Sequence, residues 1–80
     1  MYYVYLLECK DRTIYTGITT DLARRFGEHE RGVGGRYTRA RGARRILYSE
    51  RRRTHGAALR REAEIKRWTR ERKMELANRK

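Results

Sequence analysis

Tyr3-Val4-Tyr5-Leu6-Leu7-Glu8-Cys9-Lys10-Asp11-Arg12-Thr13-Ile14-Tyr15-Thr16-Gly17 is the stretch around which the rest of the chain is organised. Runs rich in Tyr, Val, Ile and Thr favour pleated strands, and Lys10-Asp11-Arg12 between them is the polar break of a turn. The parity of that turn decides which side chains meet, because side chains alternate across a strand and cross-strand partners keep a constant index sum. A two-residue loop at Asp11-Arg12 pairs Tyr5 with Ile18 and sends Tyr5 and Tyr15 to opposite faces. An odd loop of three or five residues groups Tyr3, Tyr5, Leu7, Tyr15 and Gly17 on one face and Val4, Leu6, Ile14 and Ile18 on the other. The odd loop is expected, since it makes one face purely aliphatic and fit for packing. The other face then carries phenols beside a glycine that leaves room for something to approach.

With 80 residues the chain is read as one domain, 1–80, whose core is small and whose stability is marginal. Its net charge of +12 opposes folding, but patterned apolar runs and the absence of proline argue for an ordered structure. Eighteen of the 22 basic residues are arginine, which grips phosphate bidentately and stacks on bases, so the expected partner is a nucleic acid. No apolar run reaches the roughly 20 residues of a membrane span and no signal-peptide core precedes the first strand, so no membrane partner and a cytoplasmic location are expected. The lone Cys9 excludes an internal disulfide and a thiolate metal cluster, and reads as a strand-end filler.

Thr19-Thr20-Asp21 offers helix caps, and Leu22 with Phe26 starts an apolar stripe that runs to about Arg31 before Gly32, Gly34 and Gly35. Arg25 and His29, four apart, share the side next to that stripe; the alternative to a functional pair is a solvated Arg and a partly buried His without a task. Gly34 to Arg45 has neither helical nor strand periodicity and reads as a flexible basic loop. Its Arg36, Tyr37, Arg39, Arg41, Arg44 and Arg45 are candidate contacts to backbone phosphates and a stacked base. Ile46-Leu47-Tyr48-Ser49 reads as a third short strand, followed by the basic run Arg51-Arg52-Arg53 and the cap Thr54. Ala57, Ala58, Leu59, Ala63 and Ile65 give a second helix with Glu62 beside its stripe, where the carboxylate's partner is either Lys66 at i+4 or a metal ion. Trp68 anchors the helix end, and Thr69 caps a last helix through Leu76 made basic by Arg70, Arg72, Lys73, Arg79 and Lys80.

Tyr3-Val4-Tyr5, Tyr15-Thr16-Gly17, Arg25 with His29, and Glu62, in the order strand, strand, helix, helix, strongly resemble the GIY-YIG nuclease superfamily. The segment Ile14 to Leu22 is similar to that of its small stand-alone bacterial, YhbQ-like members, relatives of the amino-terminal nuclease domain of the bacterial repair excinuclease. The resemblance implies an α+β domain, a three-stranded antiparallel sheet flanked by helices. It also implies a metal-dependent DNA endonuclease, structure-specific in repair or recombination, using Mg²⁺ or Mn²⁺. The motif tyrosines fall on Tyr5 and Tyr15, the helix arginine on Arg25, the frequent histidine on His29 and the metal-binding glutamate on Glu62. In that chemistry Arg25 grips the scissile phosphate, Tyr15 positions phosphate or water, and either Tyr5 or His29 takes the water's proton. Tyr-Val-Tyr and Tyr-Thr-Gly replace Gly-Ile-Tyr and Tyr-Ile-Gly. Ile18 stands where some members have lysine, and the late asparagine of several has only the weak match Asn78. The rival reading is a DNA- or RNA-binding module with a vestigial nuclease site, and a partner protein that supplies specificity fits either.

Overall fold

A computed structural model describes residues 1–79; Lys80, one of the basic residues expected at the end of the last helix, lies outside the described residues. The hairpin joins β1 (Tyr2–Cys9) to β2 (Ile14–Thr19). Its loop is the three residues Lys10 to Arg12, closed by Cys9 N–H to Thr13 O and Arg12 N–H to Cys9 O, both 2.9 Å. Arg12 adopts φ 72, the left-handed position that a three-residue hairpin demands. Asp11 Oδ1 accepts from both Thr13 N–H (3.1 Å) and Thr13 Oγ1–H (2.6 Å), which holds the turn closed. The odd loop therefore stands: Leu7 faces Tyr15, Tyr5 faces Gly17 and Tyr3 faces Thr19, while Val4 faces Ile18 on the other side.

A third strand, β3 (Ala43–Arg52), pairs antiparallel with β1, giving the order β2-β1-β3. It starts three residues earlier and ends three later than the expected Ile46–Ser49. The reason is tertiary: β1 presents unpaired backbone groups along its whole length, and β3 follows it from Tyr2–Arg52 to Cys9–Ala43. Register shifts at Leu6/Leu7 and Glu8/Cys9 absorb two extra residues.

Four helices cover the sheet: α1 (Leu22–Glu30), α2 (Arg36–Arg41), α3 (His55–Lys66) and α4 (Arg70–Ala77). Asp21, Thr54 and Thr69 cap α1, α3 and α4 by accepting from Arg24, Ala57 and Arg72 N–H, as the sequence suggests. The aliphatic face, with Val4, Leu6 and Ile14, buries Ala58, Ile65 and Leu76 of α3 and α4, with Ile18 and Trp68 packed against them. The opposite face packs Tyr5, Leu7 and Ala43 against Leu22 and Phe26 of α1. The expected flexible loop is the correction here, since its middle is helix α2, bounded by Gly35 (φ 131) and Gly42 (φ 77), and its end belongs to β3. No apolar stripe announces α2, because one buried residue, Thr38, fastens it to the rest of the molecule. No described helix is long and apolar enough to cross a membrane.

Candidate active site

The phenolic face of the hairpin becomes a site because α1 lowers His29 onto it. Tyr5 is 1% exposed, and a Cβ on Gly17, its cross-strand partner, would lie 2.6 Å from the phenol oxygen and 2.7 Å from Cζ. Gly17 therefore makes room for Tyr5 itself, rather than for an approaching molecule as its position in the sequence suggests. Tyr5 Oη lies 2.8 Å from His29 Nε2, and His29 Nδ1 lies 2.7 Å from Thr38 Oγ1. The rings of Tyr15 and His29 meet edge to face at 5.4 Å, and Tyr37 of α2 lies 5.6 Å beyond Tyr15. These contacts place three side chains from the two strands and α1 in one cluster, with α2 closing it.

Thr38 and Gly34 escape sequence reasoning, although both shape the histidine's environment. A Cβ on Gly34 would fall 2.5 Å from His29 Nδ1, so only glycine lets the chain pass there. The one sequence signal for Thr38 is that it is the sole aliphatic hydroxyl in a basic segment, too slight to single out.

Arg25 is partly exposed on α1, with Nη1 on Glu28 Oε1 at 2.9 Å and Nη2 on the Gly34 carbonyl at 2.8 Å. Two of its five N–H donors are so engaged, which anchors the guanidinium and leaves donors for a phosphate. Burial pushes the Tyr5 phenol from 10 up to about 12 despite the opposing pull of Arg25, while the charges of Tyr15 and Glu62 push the same way as burial. Burial, then the Arg25 charge, lowers the His29 pKa. At neutral pH both groups are held uncharged, and a neutral imidazole between two hydroxyls donates from one nitrogen and accepts at the other.

Glu62 sits on α3 at the margin of this cluster, its side chain 16% exposed, with Oε2 3.4 Å from Lys66 Nζ. The i+4 partner expected from the sequence is in place, and Glu62's charge also reaches Tyr5. Among the described residues no three His, Cys, Asp or Glu side chains form a cage. A single carboxylate fits Mg²⁺ or Mn²⁺ as an ion shared with substrate, because such hard cations bind through one or two carboxylates plus phosphate oxygens and waters.

The six basic-segment candidates are divided between two elements. Arg36, Tyr37, Arg39 and Arg41 belong to α2, whereas Arg44 and Arg45 belong to β3. Arg41 pairs with Asp11 and lies 4.6 Å above the Tyr37 ring. Arg44 and Arg45 converge on the buried Glu8 at 3.6 and 3.0 Å, and Arg45 above all holds that carboxyl below the usual range.

Comparison with known proteins identifies the family. Residues 1–75 match the GIY-YIG catalytic domain. A UPF0213 protein of Haloquadratum walsbyi is 50% identical over 76 residues, covering 95% of this chain and 85% of the relative. One of Cupriavidus necator is 56% identical over 66 residues, 82% of this chain and 72% of its own. The solution NMR structure of a UPF0213 protein from Bacillus halodurans superposes with a TM-score of 0.58 at 44% identity, covering 95% of this chain and 82% of that one. The matched sequence, which includes the two tyrosine strands, α1 and Glu62, shows that this chain belongs to the GIY-YIG catalytic domain family, small stand-alone UPF0213 proteins among its relatives.

Proposed function

We propose that the chain is a metal-dependent endonuclease that hydrolyses phosphodiester bonds in DNA, with Tyr5, Tyr15, Arg25, His29 and Glu62 as its working residues. The observation that carries this reading is the hydrogen-bonded series Tyr5–His29–Thr38. A phenol with a pKa near 12 is no base at neutral pH by itself. Its contact with a neutral imidazole changes that: the Tyr5 oxygen takes a proton from the attacking water while its own proton passes to His29 Nε2. His29 Nδ1–H, donating to Thr38 Oγ1, leaves Nε2 free to accept. Both His29 nitrogens are occupied, so the residue that meets water is Tyr5 and His29 acts through it. The sequence left both bases open, and this series supports Tyr5 as the one that meets water.

As the water oxygen bonds to phosphorus and the bond to the 3′-oxygen breaks, Arg25 holds the phosphate oxygens with its remaining donors and Tyr15 orients the group by its hydroxyl. Glu62 would hold the divalent ion, which when bound supplies charge to the phosphate and the departing oxygen. Arg36, Arg39 and the Tyr37 ring supply contacts to the flanking strand. A second reading, a DNA- or RNA-binding module without turnover, draws on one fact: Glu62 is already paired with Lys66.

Incubation with supercoiled, branched and single-stranded DNA in Mg²⁺, Mn²⁺ or EDTA tests the proposal. Wild type is expected to nick at least one of them in a metal ion and none in EDTA. Glu62→Gln is expected to bind but not cut. Binding without cutting by wild type on every substrate would establish the second reading.

A further inference from the structure

A cleft of about 350 Å³ opens along the outer edge of β2, and of the groups given roles in hydrolysis it touches only Tyr15. Ile14, Tyr15 and Thr16 of β2, Tyr37 of α2, Lys66 of α3 and Lys73 of α4 line it, so residues from four elements converge at one sheet edge.

Lys73 is the residue that packing does not explain. It is 9% exposed, and its one hydrogen bond, to the Ile14 carbonyl, is stretched to 3.5 Å. The charge it feels is that of Lys66, a second cation, and burial together with that charge lowers its pKa. An ammonium withdrawn from water without a carboxylate costs the fold stability. Beside it Thr16 lines the cleft, with a buried Oγ1 that has no hydrogen-bond partner among the described residues. The Lys73 ammonium and the Thr16 hydroxyl, both able to donate, thus lack good acceptors. Among the described residues Glu62, paired with Lys66, is the one carboxylate joined to the group. The ring of Tyr37, 39% exposed, lines the same space. Donors short of acceptors beneath an aromatic wall suit an anionic group attached to a ring system, not a cation or an apolar ligand.

We propose that this cleft is a second phosphate subsite, where Lys73 and Lys66 hold a backbone phosphate of the strand flanking the one at Arg25, with Tyr37 against the adjoining sugar or base. It rests on the nucleic-acid reading above and adds where the flanking strand runs: across the β2 edge toward α4. The arginines of β3, at the opposite edge of the sheet, lie off that path.

The test is equilibrium binding of a labelled duplex in EDTA over a salt series, so that no chemical step enters. Lys73→Met is expected to flatten the slope of log K against log[salt] by about 0.9, the loss of one phosphate contact. Arg51→Gln, an exposed charge on β3, should weaken binding less. Free Lys73→Met should melt at the same or a higher temperature than wild type, whereas a lysine that only braces α4 would lower it when removed. Lys66→Gln, on an exposed position, should flatten the slope similarly and leaves the buried site intact. Inorganic phosphate forms the second arm. If it raises the melting temperature of wild type but not of Lys73→Met while duplex slopes stay equal, the cleft serves a free anion and the proposal is overturned. Equal slopes for wild type, Lys73→Met and Lys66→Gln overturn it as well. Wild type that binds and cuts DNA alongside such equal slopes would sink the subsite alone, and wild type that binds no nucleic acid sinks the parent reading with it.

Discussion

The two faces of the hairpin are built from the same ten or so residues in alternation, yet they do opposite things. Val4, Leu6 and Ile14 are buried with Ala58, Ile65 and Leu76 of α3 and α4, and Trp68 and Met74 pack against them. Tyr5 meets a histidine, a second tyrosine and a glycine that must stay a glycine. The aliphatic face collects apolar burial and leaves its one buried hydroxyl, Thr16 Oγ1, without a partner among the described residues. On the phenolic face every polar atom needs a partner, and the helices over it are held by hydrogen bonds to Thr38 and Gly34 as much as by packing. One face can therefore be altered in stability without touching chemistry, while the other cannot be altered in chemistry without disturbing a hydrogen-bonded series. A one-residue change of loop length would send Tyr5 and Tyr15 to opposite faces and mix the two sets.

Leu6→Ala gives the sharpest break on the aliphatic side. Leu6 is fully buried, and its truncation should cost about 2–5 kcal/mol, which leaves a small basic domain largely unfolded by urea or heat denaturation. Activity should fall only in proportion to the unfolded fraction and return when DNA or sulfate refolds the protein.

On the phenolic side Gly34→Ala should cost about 1–3 kcal/mol, because its methyl would overlap the His29 ring and backbone. Here cleavage should stay low after the fold is rescued by anions, since His29 no longer meets Tyr5. Recovery of full cleavage on rescue would show that the two faces do not differ in kind.

Acid should separate the faces next. His29 is held below its ordinary pKa, so the unfolded chain binds more protons as pH falls through the unfolded value near 6.5. Stability is accordingly full above that value, declines with falling pH and levels off once His29 in the fold is also protonated. Thermal melts between pH 7.5 and 5 should show the decline in wild type. In His29→Gln it should be weaker, whereas Leu6→Ala should keep the wild-type pH dependence.

The smallest effect is expected at Gly27, in the middle of α1, where an added methyl meets only the mobile end of Arg31 at 3.2 Å. Gly27→Ala should stabilise by about 0.5–1 kcal/mol and leave cleavage unchanged. A loss of activity with a gain in stability would mean that α1 must flex over the tyrosine face.

What could be read in the sequence was whatever local chemistry determines. The place of the turn followed from Lys10-Asp11-Arg12 and its parity from the purely aliphatic face that an odd loop gives, the caps Asp21, Thr54 and Thr69 from their hydroxyl and carboxylate side chains, and the separation of Tyr5, Tyr15 and Gly17 from Val4 and Leu6 from alternation. Helix α2 and the full length of β3 were not legible, because neither is specified by its own residues. Thr38 is held by a histidine nine residues earlier, and Ala43 to Arg45 are held by pairing with β1 more than thirty residues back. Arg44 and Arg45 looked free to bind phosphate for the same reason: Glu8, which they share, is remote in sequence. Lys73, one basic residue among several on the last helix, gave no sign that it alone would be buried.

The most direct measurement of the division between the faces is single-turnover DNA cleavage by Tyr5→Phe, with binding of the same DNA followed in parallel. The substitution keeps the ring over Gly17 and removes only the hydroxyl that meets His29. Cleavage is predicted to fall about 10²- to 10⁴-fold while DNA affinity holds and the fold persists. Cleavage at the wild-type rate by a folded Tyr5→Phe protein would contradict the role given to Tyr5 and reduce the phenolic face to a second, merely polar, packing surface.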